Sequence, residues 1–433
     1  MSIVARASYV MKSANKRPTR STSHASSGGA RVLALRALRA WADGASHTVV
    51  EAIDALRASG PDAALARELA LGAMAQRRLY DHLSDRFLKP GRQSETLRDC
   101  LRIMAHQLFA LDRIPPHAAV GECVQALRVM GEPMLTGVAN AVGRKLAALR
   151  QDERHGDGPL GRLAPADIPA SVGVRYSLPD DLVNDLRSVL PHEDSEACFA
   201  ALNHLPPLCT RTRLGCAPLP GHPLRTDGEW SWWEDPAEAL ALVGDGRCTV
   251  QDRAQGEVAE ICRVRPGERV LDLCAAPGGK ARALLDLHAD VTLADASLAK
   301  VQELAKDGDF QQRVVVQDGF RPAFAPGSFD CVVVDAPCSN SGVLARRPEA
   351  RWRYDHAHLT ALQKIQTRLI RSAADLVAAD GRLVYATCSL SPRENQAITH
   401  RLDGWRILAE RVSWPDTWQL GGYACVLVRS NAS

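Results

Sequence analysis

Two cysteines stand where a thiol could attack a substrate. Cys388 and Cys338 each follow a Val- or Leu-rich run typical of a strand, whereas Cys331 lies inside such a run and is expected to be inert. Cys274, in an earlier turn, is ambiguous. Carbon 5 of a pyrimidine is not nucleophilic, so methylation there requires prior attack of a thiolate on carbon 6, which gives carbon 5 enamine character. A methyltransferase of this kind needs a thiol, and the sequence supplies two.

The residues after Cys388 have the pattern of a helix start. Ser391 is a typical N-cap, Pro392 suits the first helical position, and Glu394 would complete a capping box. This pattern predicts that Cys388 lies just ahead of a helix N-terminus. The helix dipole and nearby Lys or Arg side chains would then favour the thiolate form.

Carboxylates follow four consecutive predicted strands, at Asp272, Asp295, Asp318 and Asp335. In a doubly wound parallel sheet, ligands bind outside the carboxyl ends of the strands. Asp295, 23 residues after Asp272, is placed to accept hydrogen bonds from a ribose diol. Asp318 is placed to receive an exocyclic adenine amine. A single aspartate of this kind could be a plain turn residue, but four in order favour a nucleoside site.

The turn at 274–280 indicates which kind of nucleoside cofactor binds. Its sequence, Cys-Ala-Ala-Pro-Gly-Gly-Lys, lacks the G-x-G-x-x-G spacing that brings a pyrophosphate onto a helix N-terminus. S-adenosyl-L-methionine, which has no phosphates, is therefore predicted rather than a dinucleotide. The candidate cofactor-binding residues are Cys274, Ala275, Ala276, Pro277, Gly278, Gly279, Lys280, Asp295, Asp318 and Asp335.

These side chains need a parallel sheet to position them, and residues 247–433 have the alternation of strands and helices that builds one. Residues 30–150 show helical spacing throughout, which predicts an all-helical bundle. Residues 151–246 are predicted to form a Gly- and Pro-rich linker followed by a small α+β connector. The tryptophans at 230–233 could stack on nucleobases, although packing within a strand is the favoured interpretation. The fold class is thus multidomain.

Composition limits the classes of protein. The 433 residues carry a formal charge of +3, and 46% are hydrophobic, with no apolar run long enough for a membrane span. The twelve cysteines are scattered without a Cys-x-x-Cys pair, so no zinc site or other metal is expected and a cytoplasmic location is favoured. Residues 1–29 contain five basic and no acidic residues, which indicates a disordered basic arm or, alternatively, a transit peptide. A monomer is expected.

Three motifs of residues 247–433 resemble, in order and spacing, those of the Sun-type (NSUN) RNA 5-methylcytosine methyltransferases. They are Asp-Leu-Cys-Ala-Ala-Pro-Gly-Gly-Lys (272–280), Asp-Ala-Pro-Cys-Ser (335–339) and Thr-Cys-Ser-Leu-Ser-Pro-Arg-Glu-Asn (387–395). The resemblance implies that Cys388 is the nucleophile and that Cys338 assists release of the methylated RNA. It also implies that Asp335 contacts the cytosine ring and that Lys280 lies close to the site. The chain departs from the family pattern at Ala281 and Asn340.

The helical part resembles the RNA-binding fold of the antitermination factor NusB, through segments at 66–72, 113–124 and 139–146. A NusB-like domain ahead of this methyltransferase implies a Rossmann-like enzyme acting on one cytosine of 16S ribosomal RNA, with the helix-31 site as the expected target. Transfer RNA or 23S ribosomal RNA is an alternative substrate. A noncatalytic RNA-binding adaptor is a further alternative, which the intact cysteine pair and the strand-end carboxylates disfavour.

Overall fold

The computed structural model describes residues 29–156 and 158–430, which divide into two compact units. The first unit contains the described residues up to Val183 together with 347–351, and the second contains 184–346 and 352–430. The basic arm predicted at 1–29 lies outside the described residues, except for Gly29. None of the helices within the described ranges combines the length and apolar character that crossing a membrane requires.

The first unit is helical. Its α-helices are α1 (Ala30–Ala42), α2 (Val49–Ala55), α3 (Gly60–Ala75), α4 (Arg77–Asp85), α5 (Glu95–Phe109), α6 (Pro116–Val129), α7 (Thr136–Leu149) and α8 (Val172–Arg175). Short 3-10 turns lie at Pro133–Leu135, Pro159–Arg162 and Pro165–Asp167. The all-helical bundle predicted for this part of the chain is confirmed.

Helix α5 lies at the centre of the bundle and is buried along most of its length. A helix buried on all sides must pair its polar side chains internally. Arg102 donates to both carboxylate oxygens of Asp81, and to Asp99, at 2.7 Å in each case. Gln107 accepts from the guanidinium of Arg31 on α1 at 2.8 Å. The buried polar side chains of α5 are therefore paired within the bundle, which makes their burial compatible with its stability.

A small antiparallel sheet opens the second unit. Two helices precede it: α9 (Asp180–Arg187), which begins in the first unit, and α10 (His192–Ala201). The sheet contains β1 (Leu208–Thr212), β2 (Arg225–Asp227), β3 (Trp230–Trp233) and β4 (Cys248–Val250), with α11 (Pro236–Gly244) between β3 and β4. Its strands pair in the order β2-β3-β1-β4. Trp230, Trp232 and Trp233 are all buried, and the Trp233 indole donates to Thr210 at 2.8 Å. The packing interpretation of these tryptophans is therefore confirmed.

The larger sheet has seven strands in the order β10-β11-β9-β8-β5-β6-β7. Its strands are β5 (Arg269–Asp272), β6 (Asp290–Asp295), β7 (Val314–Val316), β8 (Phe329–Asp335), β9 (Val377–Thr387), β10 (Trp405–Ser413) and β11 (Gly422–Arg429). Strands β5 to β9 are parallel, whereas β11 pairs antiparallel with both β9 and the edge strand β10, so β11 alone runs in the reverse direction among the seven strands. The helices α12 (Arg253–Cys262), α13 (Gly279–Asp286), α14 (Leu298–Leu304), α15 (His356–Leu376) and α16 (Gln396–Thr399) complete the unit.

Both faces of the large sheet are covered, which explains the nearly continuous apolar runs of its strands. In β8, Val332 packs into a cluster that contains Leu369 of α15, whereas Val333 packs into a second cluster with Leu284 of α13. The strand order reverses between β5 and β8, because β6 and β7 extend from one side of β5 and β8 and β9 from the other. The carboxyl edge at this reversal is where a doubly wound sheet binds its ligand.

Candidate active site

The first turn, between β5 and α13, brings the backbone tightly around the end of β5. Gly278 has φ 95°, in the left-handed region, and a Cβ atom there would lie 2.6 Å from the Phe310 ring. A Cβ on Gly279 would approach nothing closer than Gln251 Nε2 at 3.8 Å, so this side of the turn is open. Burial raises the pKa of Cys274 to about 12. A raised pKa favours the protonated thiol of Cys274, which disfavours a nucleophilic role for it.

Asp272 is a buried carboxylate without normal protein partners. Neither oxygen makes a hydrogen bond of ordinary geometry, although the nearby Cys274 N–H favours the charged form. Burial, followed by the charge of Asp335, raises the pKa of Asp272 from 3.8 to about 7, and the Lys280 ammonium opposes this rise. A buried polar group left unpaired in the protein is typical of a site completed by a ligand.

The other strand-end carboxylates differ in exposure. Asp295 is buried, and its Oδ1 accepts from the Ser297 N–H at 3.0 Å, with Lys300 Nζ 3.6 Å from Oδ2. Asp318 is exposed, two residues beyond the end of β7, and its Oδ1 accepts from the Phe320 N–H at 2.9 Å. The residues therefore fit a nucleoside cofactor such as S-adenosyl-L-methionine.

Lys280 and Asp335 form an ion pair at the carboxyl ends of β5 and β8. Lys280 Nζ donates to Asp335 Oδ2 at 2.6 Å and to Gln255 Oε1 at 2.8 Å. Burial alone would lower the pKa of Lys280, but the Asp335 carboxylate outweighs it, and the net direction is upward. The ammonium therefore stays charged, and it also lies close enough to Cys388 for the two groups to interact electrostatically.

The two cysteines meet at this edge. Cys388 directly follows β9, Cys338 follows β8, and their Sγ atoms are 3.3 Å apart. The hydrogen bond with Cys388, and then burial, hold the pKa of the Cys338 thiol well above its usual value, so Cys338 is a neutral thiol. Cys331 lies buried within β8, as expected. The structure thus brings Cys388, Cys338, Asp335 and Lys280 together, with Asp272 beneath them.

The helix start predicted after Cys388 is wrong. Residues 392–395 form turns, and α16 begins only at Gln396 and has four residues. Ser391 donates its hydroxyl to Asp185 at 3.1 Å instead of capping a helix. Glu394 accepts hydrogen bonds from Ser339 and Ser389, each of which follows one of the two cysteines in the sequence. The predicted helix N-terminus therefore does not directly follow Cys388.

Sequence reasoning missed two polar neighbours of the candidate catalytic side chains. Gln255, on α12, accepts from Lys280, and no local pattern marks it. The Cys388 thiol donates a hydrogen bond to Asn340 Oδ1 at 3.2 Å, and Asn340 Nδ2 donates to the Cys338 carbonyl at 3.0 Å. Its φ of 60° lies in the left-handed region that favours glycine. The signal for Asn340 was its departure from the Ser-Gly-Thr-Gly pattern of the family.

Comparisons with known proteins bear on the whole chain. Residues 259–410 match the family model described as 16S rRNA methyltransferase RsmB/F, and residues 29–148 match the NusB family. Ribosomal RNA small subunit methyltransferase B of Citrobacter koseri is 31% identical over 363 residues, which are 78% of this chain and 81% of that protein. A probable methyltransferase B of Synechocystis sp. is 30% identical over 398 residues, which are 82% of this chain and 84% of that protein.

Among solved structures, the crystal structure of PH0851 is similar, with a TM-score of 0.68 and 18% identity, covering 95% of this chain and all of that one. This likeness supports the fold. The predicted fold class, with a NusB-like bundle and a Rossmann-like methyltransferase domain, is confirmed, as is S-adenosyl-L-methionine as the methyl donor. The chain belongs to the ribosomal RNA small subunit methyltransferase B family.

Proposed function

We propose that the protein methylates carbon 5 of a specific cytosine in 16S ribosomal RNA, at the helix-31 site, through a covalent adduct with Cys388. The observation that carries this proposal is the thiol pair, with Sγ atoms 3.3 Å apart beside the Lys280–Asp335 ion pair. Methylation of an exocyclic amine needs no thiol, whereas methylation at carbon 5 needs a nucleophile and a way to release it. The names of the relatives support the 16S substrate.

We propose that the turn at 274–280 and the carboxylates Asp272, Asp295, Asp318 and Asp335 hold S-adenosyl-L-methionine. When bound, this cofactor supplies an electrophilic methyl group. Asp272 would meet a cationic or hydrogen-bond-donating part of it, because its two buried oxygens have no protein donor of normal geometry. Asp295 would accept from the ribose hydroxyls. Asp318, being exposed, would contribute at the outer end of the adenosine site.

In the proposed catalytic cycle, each side chain of the site has a separate chemical role. The Cys388 thiolate bonds to carbon 6, and the carbon 5–carbon 6 π pair becomes available at carbon 5. Asp335, held by Lys280 at 2.6 Å, contacts the ring edge and aids its protonation. After carbon 5 has gained the methyl group it loses its proton to a base, the carbon 6–sulfur bond breaks, and its electron pair returns to Cys388. Cys338, as a neutral thiol, assists this departure.

The two units suggest a division of roles. We propose that residues 30–150 form the RNA-binding domain, that 151–246 form the linker and connector, and that 247–433 form the methyltransferase domain. The small sheet includes β4, so it continues slightly past residue 246. We propose a monomer acting in the cytoplasm, where ribosomal RNA is handled.

Cysteine variants test the chemistry. Cys388→Ala should abolish both methylation and adduct formation, whereas Cys338→Ala should accumulate a covalent protein–RNA adduct, seen as a shifted band on a denaturing gel. Cys216→Ala is the matched control, because Cys216 is exposed and far along the chain from both motifs. Full methylation by Cys388→Ala would contradict the proposed mechanism.

Two further measurements separate the alternatives. Calorimetry should detect S-adenosyl-L-methionine binding, and its absence would favour the noncatalytic adaptor. Bisulfite mapping of RNA from a deletion strain should show loss of one 5-methylcytosine in 16S ribosomal RNA. Loss of a mark in transfer RNA or 23S ribosomal RNA instead would move the proposed activity to that substrate.

A further inference from the structure

Glu394 is a fully buried carboxylate surrounded by hydrogen-bond donors. Its Oε1 accepts from the Ser339 N–H at 2.8 Å and from Gln366 Nε2 at 3.0 Å. Its Oε2 accepts from the hydroxyls of Ser339 at 2.5 Å and Ser389 at 2.6 Å. Two oxygens that together accept four hydrogen bonds are typical of an ionised carboxylate, which can only accept.

The positions of these donors matter, because each serine follows one of the two cysteines. Ser339 is next to Cys338 and Ser389 is next to Cys388, so one carboxylate joins the two loops that carry the thiols. Other hydrogen bonds also join the loops, including the Leu390 N–H to the Ser341 hydroxyl at 2.9 Å and the Cys388 thiol to Asn340 Oδ1 at 3.2 Å. Ser341 and Ser389 share a hydroxyl contact at 3.0 Å, and the Gly342 N–H donates to the Cys388 carbonyl at 2.9 Å.

We propose that Glu394 is a positioning residue that holds the loops of Cys338 and Cys388 at the separation required for release of the methylated RNA. This proposal rests on the proposed function. In the release step, the sulfur of Cys388 leaves carbon 6 with the bonding electron pair while the carbon 5 proton passes to a base. The Cys338 thiol, whose Sγ is 3.3 Å from that of Cys388, can donate a hydrogen bond to the departing sulfur only while the two loops keep this separation.

The charge of Glu394 has a second effect on the same pair. The hydrogen bond with Cys388 is the largest cause that raises the pKa of Cys338, burial is the next, and the Glu394 charge adds to them. Glu394 thus helps to keep Cys338 in the protonated form that can donate. The length of the Glu394 side chain joins the loops, and its charge adds to the rise in the Cys338 pKa, so two substitutions can separate the two contributions.

Glu394→Gln keeps the length and removes the charge, whereas Glu394→Asp keeps the charge and shortens the reach. Iodoacetamide labelling of the full-length free protein, read at each cysteine by mass spectrometry across pH, reports the thiolate fraction. In Glu394→Gln, the pH of half-maximal Cys338 labelling should fall, and in Glu394→Asp it should stay close to that of the natural protein. An unchanged Cys338 curve in folded Glu394→Gln would overturn the charge contribution.

With RNA and S-adenosyl-L-methionine, both variants should hold several-fold more enzyme in the covalent adduct during turnover, because release is slowed. An adduct fraction equal to that of the natural protein would overturn the positioning role. Failure of the natural protein to form any adduct would instead reject the proposed function, while the labelling curves would still decide the role of Glu394.

Control variants guard against general damage. Glu268→Gln removes a carboxylate that pairs with Arg382 at 2.5 Å, at the other end of the sheet strands, and should leave both readouts unchanged. If Glu394→Gln fails to fold, Ser339→Ala removes one hydroxyl donor and keeps the backbone N–H. It should raise the adduct fraction in the same direction by a smaller factor, and no rise would overturn the proposal.

Discussion

Replacing Asp272 by asparagine should stabilise the protein without its cofactor at pH 8 and weaken cofactor binding. In the folded protein the pKa of Asp272 is raised from 3.8 to about 7, chiefly by burial. A group with a raised acidic pKa contributes its full stability below about pH 4, where it is protonated in both states, and that contribution is lost as the pH rises to about 7. Asparagine is neutral throughout, so the variant avoids this loss.

The size of the effect follows from the shift. A rise of roughly three pKa units, at about 1.4 kcal/mol per unit, corresponds to about 4 kcal/mol of unfolding free energy at pH 8. This gain in unfolding free energy is an upper bound, because the asparagine NH₂ group would be a buried hydrogen-bond donor without a protein acceptor, which costs stability. Loss of one charged hydrogen bond to the cofactor would weaken S-adenosyl-L-methionine binding about 10- to 100-fold.

Urea unfolding at pH 5 and pH 8 measures the first effect, and calorimetry measures the second. The gain in stability should be larger at pH 8 than at pH 5. Asp330→Asn is the matched control in β8, since the Arg269 guanidinium lowers the pKa of Asp330, and that variant should be neutral or less stable at pH 8. A variant of Asp272 that is no more stable at pH 8 would refute the reasoning.

Three other substitutions have clear expected results. Lys280→Met should lower the single-turnover methylation rate about 100-fold at saturating cofactor, because Asp335 loses the ammonium that orients it at 2.6 Å. Arg211→Met should lower the free energy of unfolding by about 3 kcal/mol in urea, because it breaks a buried ion pair with Asp286. Gly342→Ala should abolish methylation while circular dichroism shows a retained fold, because the new Cβ would lie 2.6 Å from the carbonyl oxygen of residue 421, beside the Cys388 carbonyl. An unaltered rate, stability or activity, respectively, would contradict each expectation.

The sheet and its ligand edge were predictable because the information is local. Apolar runs buried on both faces end where a polar residue must reach the edge, so Asp272, Asp295 and Asp335 mark strand ends directly. Asp318 was placed less well, since β7 stops at Val316 and the aspartate closes a turn on the Phe320 N–H. A strand end and the turn that follows it look alike in sequence.

The hydrogen-bond partner of Glu394 could not be predicted, because the local sequence indicates a helix cap whereas the folded protein uses the carboxylate to bind a distant loop. Ser391 and Glu394 have the spacing of a capping box, but the carboxylate is used by Ser339, which is 55 residues away. Local spacing carries no information about a loop that arrives from another strand. The sequence also does not show how deeply each carboxylate is buried. Only the folded sheet distinguishes Asp272, which is buried without a hydrogen-bond partner, from Asp318, which is exposed.

The closeness of Cys338 and Cys388 also creates a vulnerability. Their sulfur atoms are 3.3 Å apart, and a disulfide bond is about 2.05 Å long, so a movement of little more than 1 Å would let a peroxide join them, with both thiols oxidised and the peroxide reduced to water. The enzyme would then be inactive until a thiol reductant reduced the disulfide bond. Purified samples handled in air should therefore lose activity and regain it with dithiothreitol.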